Sequence, residues 1–315
     1  MYFPYMYGRR SELLAVRAML TAGRDLERLL PIVEPVNRDI SDLSRCLTLC
    51  EEAGQPVAVI TNPNQHQLAP IPSGWQAGVN TLLAACPTAV PALKCGPHTT
   101  AANVSAFFRS MAGREVAIVH AGSSLSQADF TALVGQPTAR FHIALANMVP
   151  AAQLAAIPKN KRVDVTDPFI RQARNADYDG SEFFSDAYKN FARTSTGFGD
   201  FMCIGSSFQP GGGAPAAVVV HAIFKAKESG DIWIEHFLSD DVERDQGDTA
   251  GKFLQAAAKL VRAVRRRPQE FGSNPALTAY RTHVQNGHFP QLGKNKELQM
   301  IHHMCLMLDV LSGTL

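Results

Sequence analysis

Short runs of β-branched and apolar residues, each closed by a polar or turn-forming residue, recur at 31–36, 57–62, 90–96, 116–122, 141–147 and 162–167. Between them lie stretches with apolar residues at helical spacing, at 39–53, 75–85, 100–111, 127–134 and 151–157. Strand and helix thus alternate about once every 25 to 30 residues, the rhythm of parallel strands joined by crossover helices. Most of the runs are apolar throughout, as expected of strands buried on both faces. No glycine-rich dinucleotide turn follows the first strand, and no reversal point interrupts the repeat. A TIM-like (β/α) barrel is therefore expected ahead of an open, doubly wound sheet.

The rhythm breaks after Asp167. A long polar stretch at 171–186 has the character of a closing lid, and a short helix is expected around 188–193. A seventh strand is expected at 200–205, joined to another at 216–224 by a connection too short for a crossover helix. Those two should therefore pair antiparallel. The strand at 232–238 would form a second hairpin arm and could fill the last barrel position, making the barrel irregular. From residue 250 the spacing is helical, at 251–266, 275–285 and 296–311. A chain of 315 residues, 46% hydrophobic, is expected to form one domain, with barrel strands over about 31–238 and a helical segment over 250–315.

The formal charge of +2 gives nucleic-acid binding no support from bulk charge. The longest apolar stretches fall short of the roughly 18 residues a membrane helix needs, and the N-terminus lacks the cationic start and apolar run of a signal peptide. A cytoplasmic protein without a membrane partner is expected. Six cysteines at 46, 50, 86, 95, 203 and 305 form no CxxC pair and are too sparse for a disulfide scaffold, so they read as reduced and mostly buried.

In a parallel barrel the C-terminal strand ends converge on one face, however far apart they lie in sequence. Here those ends carry Glu34, Asn62, Lys94, His120, Asn147 and Asp167. Exposed strand ends are polar in any protein, but a carboxylate and an amine near a barrel mouth would cost several kcal/mol to bury unpaired, which favours a site. Glu34, Lys94, His120 and Asp167 are the candidate catalytic groups, with Asn62 and Asn147 as ligand contacts. Lys94 suits an imine or an anchor for a small anion, and His120 suits a general base or a structural imidazole. Glu34 precedes Pro35, which holds it extended. Glu34, His120 and Asp167 are also the set a divalent ion would take, although no cofactor is specified by any motif.

Other features have plain explanations. The triple glycine at 211–213 lacks the phosphate-loop pattern and reads as a hairpin tip. Arg265, Arg266 and Arg267 close a helix whose start follows Asp240, Asp241 and Asp245, as the helix dipole favours. Cys46 and Cys50 read as core residues, and His302, His303 and Cys305 as helix-packing residues.

Three stretches, MYFPYMYGRRSELLAV with PIVEPV, EFFSDAYKNFARTSTGFGDFMCIG and HFPQLGKNKELQMIHH, resemble the beta family of satellite phages. The matching positions are Tyr2, Pro4, Tyr5, Gly8, Glu34, Pro35, Asp186, Gly199, Asp200, His221, His236, Gly293, His302 and His303. The resemblance implies a component of the gop–beta–cII anti-phage defence cassette that modulates or assists a toxin-like neighbour, with the other cassette proteins as partners. It also adds Asp186, Asp200, His221 and His236 to the ligand-binding candidates. The enzyme reading places a small anionic ligand at the mouth; its alternative is a non-catalytic protein-binding partner or regulator of the toxin.

Overall fold

The computed structural model describes residues 1–210 and 215–315; the hairpin tip read at 211–213 lies outside them. The chain divides into two compact units. The first comprises residues 1–13, 27–167 and 187–201, and the second comprises 14–26, 168–186 and 202–315.

In the first unit, eight strands form one parallel sheet. They are β1 (Tyr5–Met6), β2 (Ile32–Val33), β3 (Ala58–Ile60), β4 (Val90–Cys95), β5 (Val116–His120), β6 (Ala139–Leu145), β7 (Arg162–Thr166) and, after a gap, β9 (Gly197–Asp200). They stand in that order, each hydrogen-bonded to the next. The crossovers carry α2 (Ser41–Glu52), α3 (Trp75–Ala85), α4 (Ala101–Ser110), α5 (Gln127–Val134) and α6 (Ala151–Ala156); α1 (Arg10–Met19) follows β1, and α7 (Ala187–Asn190) leads towards β9. Tyr2 makes parallel bridges to Leu29 on one side and Phe198 on the other, so the ring all but closes. The Phe3 amide donates to Phe198 at 2.9 Å, and the Phe198 amide donates to Met1 at 3.1 Å. A closed sheet leaves no row of unpaired backbone groups. The expected barrel is thus the fold.

Its last position is filled differently from the expectation. The strand at 200–205 is found earlier, as β9, and it pairs with β7 in parallel rather than with 216–224. Its sequence, Gly-Phe-Gly-Asp, carries little strand signal because glycine is depleted in strands. Contact explains the glycines: a Cβ on Gly199 would fall on the Phe3 carbonyl oxygen, and one on Gly197 would enter the Phe3 ring. The opening strand also escapes sequence reading, since β1 is only two residues long.

The second unit holds a three-stranded antiparallel sheet of β8 (Ser181–Ser185), β10 (Val219–Lys225) and β11 (Ile232–Leu238), in the order β10-β11-β8. The strand at 232–238 therefore belongs here and not to the barrel. The polar stretch at 171–186 is no free lid either, because its end is β8, with Glu182 opposite Ile234. Helices α8 (Thr249–Arg266), α9 (Pro268–Phe271), α10 (Pro275–Gln285) and α11 (Leu292–Ser312) complete the unit. Asp248 caps α8 through the Gly251 amide at 2.7 Å, and Arg267 is taken up by Glu235 and Glu270. Residues 297–310 of α11 are buried on every side.

None of the six cysteines forms a disulfide, and all six are buried. Among the described residues, no helix is long and apolar enough to cross a membrane.

The approach of β9 to Phe3 yields a stability test. Gly199→Ala should cost about 3 kcal/mol, a melting-temperature loss of roughly 5 to 10 °C. Gly96→Ala, whose new Cβ would meet only the Ala121 carbonyl at 3.9 Å, should cost less than about 1 kcal/mol. Equal melting temperatures for Gly199→Ala and the parent chain would rule out the contact as a condition of closure.

Candidate functional site

Residues paired across a parallel ladder point to the same side of the sheet, and the side alternates along each strand. The rings of Phe3, just before β1, and Phe141, on non-adjacent β6, meet edge to face at 5.1 Å, so their side is the barrel interior. The ladder carries that side round the ring. Phe141 pairs with Ala117, Ile143 with Val119, Val119 with Lys94, and Tyr5 with Ile32. Lys94, Tyr5 and Glu34 therefore face inwards, near the strand ends where barrel chemistry collects.

The Glu34 side chain is completely buried. Its backbone is held on both sides, its amide donating to Met6 at 2.9 Å and its carbonyl accepting from Gly8 at 2.8 Å. The Tyr5 hydroxyl donates to Oε2 at 2.5 Å, and Lys94 Nζ lies 2.9 Å from both carboxylate oxygens. A carboxylate out of water costs several kcal/mol unless paired and hydrogen-bonded, and here it is both. Burial, followed by the charge and hydrogen bond of Glu34, pushes the Tyr5 phenol well above its ordinary range. Lys94 keeps 20% of its side chain exposed, so the pair has one face towards solvent. Asn62 binds the Lys94 backbone twice, accepting from its amide and donating to its carbonyl, both at 2.8 Å. Asn62 thus positions Lys94.

A second pair lies next along the chain. Glu12, also fully buried, accepts from Arg9 Nε at 2.9 Å and from its Nη2 at 2.7 Å. Burial raises the Tyr7 phenol strongly, followed by the charges of Glu34, Asp167 and Glu12. Asp167, exposed at the end of β7, is thereby placed in the same electrostatic neighbourhood.

His120 departs from the expected mouth set. It pairs across the ladder with Cys95 and Ala144, on the side opposite Lys94. Its ring lies 5.1 Å from Phe130 of α5 and is stacked on His142, with Nε2 and Nδ1 of the two rings 3.1 Å apart. Burial and then His142 push His120 down to about 3, while burial and then Lys161 push His142 down to about 4. Both are neutral at pH 7. With His120 facing the helices, Glu34, His120 and Asp167 do not converge as ion ligands. Among the described residues, no group of three or more His, Cys, Asp or Glu side chains is placed to hold a metal.

The remaining candidates are dispersed. Asn147 is exposed in a left-handed turn after β6 (φ 61°), and Asp186 is exposed after β8. Asp200 is buried and accepts from the Tyr2 hydroxyl at 2.8 Å. In the second unit, the antiparallel register places His221 opposite His236, with their Nδ1 atoms 2.7 Å apart. His302 is satisfied at both nitrogens, by Asn274 at 3.0 Å and the Ile223 carbonyl at 2.8 Å, which marks it as structural.

Sequence reading missed Tyr5, Tyr7, Arg9 and Glu12 as site residues and His142 as the partner of His120. The three tyrosines of the opening heptad were the available signal for the first group; alternation along Phe141–Leu145 would have put His142 on the helix side. Comparisons with protein-family models, curated proteins and solved structures found no match.

Two outcomes follow. Lys94→Met, which strands the buried Glu34 carboxylate, should destabilise the chain by about 3 to 5 kcal/mol, and adding Glu34→Gln should restore most of that loss in denaturant melts. Additive losses would refute the pairing. Because both buried histidines have lowered folded-state values, the unfolded chain binds more protons below pH 6.5. Stability should therefore fall as pH drops from 6.5 towards 4, by up to about 1.4 kcal/mol per pH unit for each histidine. A His120→Phe, His142→Leu chain should show a shallower fall of melting temperature over that range.

Proposed function

We propose that the barrel mouth is an acid–base site for a small anionic ligand, and that the chain serves with it in an anti-phage defence cassette, modulating or assisting a toxin-like neighbour. The buried Glu34 carboxylate, held by Tyr5 and by a lysine that still reaches solvent, carries the reading. An anion that draws the Lys94 ammonium towards itself weakens its hold on Glu34. The carboxylate then keeps only the Tyr5 hydroxyl and becomes a stronger base, so binding and activation are coupled through one ammonium. Tyr7 and Asp167 flank the same mouth, and Asn62 keeps Lys94 in register for the exchange. The defence role is supported by the sequence resemblance, and its partners are the other proteins of the cassette.

The test uses the Glu34→Gln, Lys94→Met double variant, in which no charge is left stranded. Inorganic phosphate or a nucleoside monophosphate at about 100 times its dissociation constant should stabilise the parent chain by about 2.7 kcal/mol, and the double variant should lose that shift. The same variant, in a complete cassette, should lose phage resistance while remaining folded. Full resistance from a folded double variant would end the acid–base reading, and the absence of any shift from either anion would end the choice of ligand.

A further inference from the structure

The second unit contains a chain of ring nitrogens that ends in a directed acceptor. Glu182 on β8, His236 on β11 and His221 on β10 stand side by side across the three-stranded sheet. Glu182 Oε1 lies 3.3 Å from His236 Nε2, and His236 Nδ1 lies 2.7 Å from His221 Nδ1. An ionised carboxylate can only accept, so the His236 proton sits on Nε2. The Nδ1 of neutral His236 must then accept, which puts the His221 proton on its own Nδ1. Nε2 of His221 is left with a lone pair.

Among the described residues, that nitrogen takes no hydrogen bond: His221 bonds only through Nδ1 and through its backbone amide, which donates to Gln299 Oε1 at 3.2 Å. The residue is 8% exposed. The rings of Tyr178 and Phe169 wall His221 at 4.6 and 5.1 Å, and Tyr178 also covers His236 at 4.8 Å. Glu182, Glu235 and Asp179 all act on His236, while Arg171 acts on His221. With Glu235 taken up by Arg267, two carboxylates, Glu182 and Asp179, stand against the Arg171 guanidinium, a balance that disfavours an anion here and leaves a neutral donor as the matching chemistry.

We infer that the Glu182–His236–His221 chain forms a second binding site, in which His221 Nε2 accepts a hydrogen bond from an uncharged ligand bearing an O–H or N–H donor, with Phe169 and Tyr178 as its apolar walls. His236 is a positioning residue, because it acts by fixing the His221 tautomer. This site is independent of the barrel mouth and stands or falls separately from it.

Long-range 1H–15N correlation on the full chain with 15N-labelled histidine, near pH 7.5, reads the tautomers directly. His236 should carry its proton on Nε2 and His221 on Nδ1. Phenol, the probe for a neutral donor beside aromatic walls, should shift the His221 Nε2 resonance, and acetate should not. A His236→Phe chain should lose the single His221 tautomer. A proton on His221 Nε2 in the parent chain, an Nε2 resonance that phenol leaves unmoved, or an equal response to acetate would each overturn the inference, and all three are read without any variant.

Discussion

Barrel closure at Tyr2 and β9 is the constraint on which the first unit depends. Eight parallel strands leave two rows of unpaired backbone groups unless the first and last strands meet, and here they meet over only a few residues around Tyr2 and Phe198. The space is so short that Gly197 and Gly199 present no side chain towards Phe3. At the mouth, the pairing of β1 with β2 sets Tyr5 beside Ile32 and its hydroxyl on Glu34.

The mouth is an arrangement of compensated charge. Glu34 and Glu12 are both fully buried, and each has a basic partner that remains partly exposed: Lys94 for the first, Arg9 for the second. Such pairs are poor devices for stability alone, since apolar residues of the same volume do as well or better. Two raised phenols, Tyr5 and Tyr7, add proton donors that remain protonated across the physiological range.

The two histidine pairs show how surroundings decide the role of one side chain. His120 and His142 stack beneath α5, and burial keeps both neutral, with no carboxylate acting on either among the described residues. That pair belongs to the packing of the barrel wall. His221 and His236 are closer, and Glu182 stands behind them and gives their shared hydrogen bond a direction. Direction turns two buried rings into an acceptor with a defined lone pair.

The repeated apolar runs determined the barrel, because strands buried on both faces need continuous apolar sequence, and the register of that repeat put Glu34 and Lys94 at strand ends. The burial of the cysteines was legible for a related reason, since small apolar side chains go to the core. What only the tertiary structure decided was non-local. The two-residue β1 and the glycine-rich β9 have no strand signal of their own and exist through closure, and β8 is a strand only because β11 offers it a ladder. His120 sits at a strand end like the others, yet alternation turns it outwards. Inward or outward is fixed by which neighbours a ring packs against, and that information resides in the assembled sheet rather than along the chain.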